Sequence, residues 1–154
     1  RFGRFPVPNL TPEIKDYKFE IGRGVTYREG RDVTIVATGY MVHLAVEAAD
    51  ILAKEGIDAG VINIHTVKPL DTALITEAAK RSGAIVTAEE HTVIGGLGAA
   101  VCEALAESCP VPVLRVGVED QYGRSGKVPE LLEIYGLTAA NIAAKARVAV
   151  SLKK

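Results

Sequence analysis

Short apolar runs rich in β-branched residues alternate along this chain with longer segments whose apolar residues recur at helical spacing. Val33–Thr38, Asp58–His65, Ala84–Ala88 and Val113–Val118 read as strands. Segments 41–55, 72–82 and 97–108 lie between them and read as helices. In the first helix, Val42, Ala45, Val46, Ala49 and Leu52 fall on one face. Strands joined through helices in this way run parallel, with right-handed crossovers and helices on both faces. The pattern predicts an α/β domain. The chain has 154 residues, enough for one such domain with a sizeable core.

Local signals sharpen the boundaries. Gly56 is placed to end the first helix, Asp71 to cap the second and Gly83 to close it. Pro129 suits the first position of a short helix reaching Tyr135. Thr138 caps a last helix to about Val150, with Ile142, Ala146 and Val150 inward. Val25–Arg28 is a short strand, and the Gly30-Arg31-Asp32 turn reads locally as a hairpin to the next one. Residues 1–20 carry Pro6, Pro8 and Pro12 and read as an extended connector. Phe5, Val7, Leu10, Tyr17 and Phe19 make it apolar for a linker, so it is expected to lie along a protein surface. There is no internal repeat.

Composition excludes several functions. With 18 basic and 19 acidic residues the net charge is −1, which gives no electrostatic case for nucleic acid or an anionic membrane. The apolar runs are short and broken by charges, so none is expected to span a bilayer. Nothing near Arg1 resembles a signal peptide. Cys102 and Cys109 lie two helical turns apart, roughly 10 Å along a helix axis, which predicts free thiols and a cytoplasmic location. His43, His65 and His91 have no metal-ligand spacing, and His43 and His65 read as packing or capping residues.

Candidate chemistry gathers in Val67–Ala99, where a strand leads into Glu89-Glu90-His91 and then Gly95-Gly96-Leu97-Gly98 opens a helix. Open α/β sheets place functional loops at such strand ends. The glycines leave amide donors that suit an anion, or allow close packing of the helix start; packing is the stronger reading, since no Lys, Ser or Thr stands at phosphate-loop spacing. Glu89 and Glu90 are neighbours on a strand and point to opposite faces, so they do not share a proton. One is expected to turn inward to a partner and the other to meet an interface. The Thr38-Gly39-Tyr40 turn has a single glycine, too few for a dinucleotide site. Asp120–Lys127 reads as a surface or subunit-contact loop. Arg1 and Arg4 have the chemistry to hold a phosphate but read locally as surface arginines. No complete catalytic constellation is present.

The order of motifs resembles the C-terminal domain of transketolase and its thiamine-diphosphate relatives. The resemblance rests on RFGRFPVP at 1–8, DVTIVATGYMVHLAVEAADIL at 32–52 and VKPLD at 67–71. It continues through TAEEH at 87–91, GGLG at 95–98, EDQYGRSGK at 119–127 and ELLEIYGLT at 130–138. It implies a three-layer α/β/α domain with a five-stranded, mostly parallel sheet and its first strand antiparallel at the edge, in place of the local hairpin. It implies that residues 1–20 are the end of a pyrimidine-binding domain plus linker, and that 21–154 are the C-terminal domain.

The activity implied is transfer of a two-carbon ketol unit between sugar phosphates, as in the pentose phosphate pathway. Thiamine diphosphate and a divalent metal (Mg) are implied in the full enzyme, held by domains upstream of Arg1. The implied partners are the N-terminal transketolase domains or subunit and a homodimer mate, and Arg4 matches an arginine that contacts substrate phosphate. On this reading the chain alone has no catalytic residue, binds no metal and is inactive. Glu89, Glu90, His91, Gly95, Gly96 and Gly98 are its interface or anion-loop candidates. Alternatives are the equivalent domain of 1-deoxyxylulose-5-phosphate synthase or of a 2-oxoacid dehydrogenase β subunit, and a stand-alone anion- or nucleotide-binding module.

Overall fold

Val33–Ala37, strand β2, is buried at every residue, as a strand covered on both faces must be. A computed structural model describes residues 5–14 and 17–153. It places β2 at the centre of a five-stranded sheet flanked by β3 (Ala59–Asn63) and β4 (Ile85–Thr92), with β5 (Val113–Val118) beyond β4. These four strands run parallel. The edge strand β1 (Val25–Arg28) pairs antiparallel with β3, Val25 opposite Asn63. The local hairpin reading is therefore corrected and the mostly parallel sheet with an antiparallel edge holds. β1 reaches β3 because the turn after it crosses over the start of β3 instead of folding back on itself.

Alternation along the strands builds the layers. Ile35, Val61 and Val86 face α1 (Met41–Ala53) and α5 (Ala139–Ser151). Val36, Ile62 and Ile85 face α2 (Thr72–Ser82) and α3 (Leu97–Ser108). Each fully buried aliphatic side chain contributes about 1.5–3 kcal/mol of hydrophobic stabilisation. A short helix, α4 (Val128–Ile134), buries none of its residues fully but sets Leu132 against the α1/α5 layer. From β2 the chain moves outward to β3 and then back across to β4. That reversal puts the topological switch at the carboxyl ends of β2 and β4.

Most boundaries fall within two residues of the sequence reading; one strand end departs further, and two helix boundaries shift by one or two residues. β4 runs on to Thr92, so Glu89, Glu90 and His91 are strand residues and not a loop. Pairing with β5 carries the strand that far, reaching Thr92 opposite Val118 after an irregularity beyond Ala88. Pro129 is the second residue of α4, not the first. α1 stops at Ala53, and Gly56 closes the turn after it with φ +80°.

Two long-range clasps fix the frame. Before β2 and β3, Asp32 N donates to Asp58 O at 2.9 Å, and Asp58 N donates to Asp32 Oδ2 at 2.8 Å. Gly30 lies inside this clasp, and a Cβ there would overlap the backbone of Ala59 and Gly60. At the other end of the sheet, the Asp71 carboxylate accepts from Leu74 N at 3.2 Å, as the N-cap of α2, and from Gly24 N at 2.9 Å. Asp71→Ala therefore loses a cap and the tie to β1 together. A loss of about 2 kcal/mol in urea unfolding is expected, with faster amide exchange at Gly24, and Asp71→Asn, with one acceptor oxygen in place of two, should recover only one of the two bonds.

Candidate functional site

The helix start at Gly96-Leu97-Gly98 has no cap from its own loop, because the N-cap residue is Gly96. Its amides are served from β4. Glu89 Oε2 accepts from Leu97 N at 2.8 Å and Oε1 from Gly98 N at 2.9 Å. Glu89 is 1% exposed. A buried carboxylate is costly unless hydrogen-bonded, and here two donors and the positive end of α3 offset that cost. The glycines make the approach possible. A Cβ on Gly96 would overlap the Glu89 carboxylate, and one on Gly98 would stand 2.7 Å from Arg115 Cδ and 2.9 Å from Thr87 Oγ1. Gly95, with φ +71°, turns the loop in open space.

The other members of the acidic tip go elsewhere. Glu90 points to the opposite face of the sheet, where it lines an apolar pocket of about 260 Å³ with Phe5, Val118, Leu131, Leu132 and Tyr135. His91 is exposed, its Nδ1 3.2 Å from the Thr92 carbonyl. Glu89, Glu90 and His91 thus do not converge. The two amides that an outside anion would need at this helix start already hold an internal one. Arg4 lies outside the described residues. The loop 119–127 is exposed throughout, and its Tyr122 carbonyl accepts from the Tyr135 hydroxyl at 2.8 Å. Cys102 and Cys109 are both free and half-buried.

A second pocket, of about 340 Å³, opens at the carboxyl ends of β2 and β3 beneath residues 7–11. It brings together His43, Asn63 and His65, which sequence reasoning did not join. His43 stands edge-on to Tyr40, ring centroids 4.6 Å apart, and His65 stacks against Phe19 at 4.5 Å. No spacing in the sequence signals this meeting, because residues 7–11 and Phe19, distant in sequence from the strand ends, complete it.

Burial holds the His65 imidazole below its ordinary titration range. A lowered folded-state value means stability is fully present above the unfolded value near 6.5 and is lost as the pH falls through the folded one. Mild acid should therefore loosen residues 17–24 before the sheet, read as earlier protease cleavage there. His65→Phe should abolish the pH dependence.

The described residues hold no group of three or more His, Cys, Asp or Glu able to bind a metal ion. No helix among them is long and apolar enough to cross a membrane.

Known proteins resemble the chain over most of its length. Residues 22–142 match the family model of the transketolase C-terminal domain. The chain is 49% identical over 135 residues to a 6-deoxy-6-sulfo-D-fructose transketolase subunit of Clostridium sp. strain MSTE9, covering 88% of this chain and 42% of that protein. It is 52% identical over 128 residues to the 1-deoxy-D-xylulose-5-phosphate synthase of Heliobacterium modesticaldum, covering 82% of this chain and 20% of that enzyme. The solved structure of a split-gene transketolase, described as an inactive β4 tetramer, superposes with a TM-score of 0.90 at 49% identity. That match covers 99% of this chain and 48% of the other. The chain thus spans less than half the length of each of these relatives.

Proposed function

The chain belongs to the transketolase C-terminal domain family, and from that premise we propose that it is the C-terminal domain or subunit of a transketolase. It supports transfer of a two-carbon ketol unit between sugar phosphates and has no complete active site of its own. The observation that carries this reading is Glu89. The one buried acid at the candidate strand end is committed to closing α3, through both of its oxygens. A carboxylate held by two backbone donors inside the fold is a strut, out of reach of any substrate proton.

Thiamine diphosphate and a divalent metal are the cofactors of the proposed full enzyme. The described residues do not fit them. No trio of metal-ligating side chains is present among those residues, and the α3 amides suited to a diphosphate are taken by Glu89. We assign the cofactor to the preceding domains and derive no step through it. Arg4 is proposed to reach a substrate phosphate in the assembled enzyme. The contribution of the C-terminal domain is then mechanical: it holds neighbouring domains or subunits in register.

Assay of the 154-residue chain alone and after mixing with the catalytic domains tests this. Ketol transfer should appear only in the mixture, and turnover by the chain alone would refute the proposal. The 52% identity to a 1-deoxy-D-xylulose-5-phosphate synthase supports a second reading, in which the same domain serves that enzyme. Formation of 1-deoxy-D-xylulose 5-phosphate by the assembly, in place of ketol transfer, would favour it.

A further inference from the structure

We propose that the carboxyl rim over β4 and β5, formed by the Glu90 pocket, α4 and the 119–127 loop, is the face on which the preceding catalytic domain docks. The inference rests on the family reading above and adds where the contact is made. Three observations support it. The Glu90 pocket is walled by Val118, Leu131, Leu132 and Tyr135, and α4 above it has no fully buried residue. A helix that buries nothing fully within its own domain gains stability from whatever covers it.

Next, the loop beyond it displays Tyr122 at 97% exposure and α4 displays Ile134 at 50%. The Tyr135 hydroxyl holds the Tyr122 carbonyl at 2.8 Å, so the exposed ring stands on an anchored loop. Tyrosines presented in this way are the typical anchors of protein interfaces, since a fixed ring loses little entropy on contact.

The route of the chain selects the occupant. Phe5 lies on the same pocket, residues 7–11 roof the carboxyl ends of β2 and β3, and β1 begins at that same end, beside Asn63. Residues 22–142 match the model of a C-terminal domain, and the chain covers 42% and 48% of two relatives, which leaves room in them for a domain ahead of it. Polypeptide joined ahead of Phe5 is delivered to this rim at high effective concentration. The groove between α2 and α3, floored by Ala100 and Ala104, has no such tether.

Photo-crosslinking in the intact enzyme tests the proposal. A benzoylphenylalanine is introduced at Tyr122 of the full assembly, and as a control at the exposed Ala73 on α2. Crosslinked peptides are identified by mass spectrometry. The Tyr122 probe should crosslink to the preceding domain at least tenfold more than the Ala73 probe. Crosslinks from Tyr122 only to a second copy of residues 5–153, equal yields at the two positions, or no crosslink from Tyr122 would each overturn it. Loss of ketol transfer activity is read separately. An assembly that crosslinks as expected but makes another product keeps this docking face and refutes the proposed reaction.

Discussion

Glu89→Ala is expected to lower the stability of the chain by about 3 kcal/mol, roughly a 10 °C fall in Tm for a domain of this size. The loss has two parts. The bonds to Leu97 N and Gly98 N disappear, and both amides stay behind in a buried position at the start of α3. Glu89→Gln should rescue little, because its NH2 group faces one of the donors its oxygen used to satisfy. Gly96→Ala should cost nearly as much as Glu89→Ala, since the new methyl overlaps the Glu89 carboxylate. The two changes should not add. In the Glu89→Ala background, Gly96→Ala should cost less than half of what it costs in the wild type. Additive losses in urea unfolding would show that the glycine is needed for another reason.

Gly30→Ala should be the most damaging single methyl in the molecule, at about 3 kcal/mol or more. The groups that the methyl would meet are main-chain atoms of Ala59 and Gly60, which no rotamer change can move. Relief requires separating the turn before β2 from the start of β3, which pulls on the Asp32–Asp58 clasp and the pairing of Thr34 with Gly60. Gly98→Ala is the informative contrast. There the near atoms are side-chain atoms, Arg115 Cδ and Cγ and Thr87 Oγ1, and Arg115 can shift at the cost of its Nη1 bond to Val93 O, so a smaller loss of about 2 kcal/mol is expected. A soluble, fully cooperative Gly30→Ala protein with unchanged urea midpoint would contradict the close approach described here.

The sequence was most readable where one local force acts alone. Asp71 capping α2 and Gly83 ending it, with φ +68°, follow from hydrogen-bonding and steric preferences of single residues. Thr138 capping α5 is of the same kind. The core faces followed from periodicity, as Ile35 and Val36 show by entering opposite layers. Reading failed where partners distant in sequence decide. The extension of β4 through His91 depends on β5, some 25 residues on, and the position of β1 depends on Gly30 passing over Gly60. For the candidate site, the opposite facing of Glu89 and Glu90 was legible from strand geometry. The partner of Glu89 was not, because an acid eight residues before a helix carries no capping signature. The meeting of His43, Asn63 and His65 was invisible for a similar reason: the segment that roofs it, which turns into a short 3-10 helix at Thr11–Glu13 where an extended connector was expected, has no periodicity of its own.

The antiparallel direction of β1 also fixes how the molecule can be handled. Because β1 starts beside Asn63, its incoming chain is at the same pole as the loops after β2, β3 and β4. At the far pole, Lys153 reaches toward Asp32 at 4.0 Å and lies beside Gly83. A fluorophore, affinity handle or surface attachment fused after Lys153 would hang about a sheet's length away from the carboxyl ends of the strands. One fused ahead of Phe5 would sit on top of them.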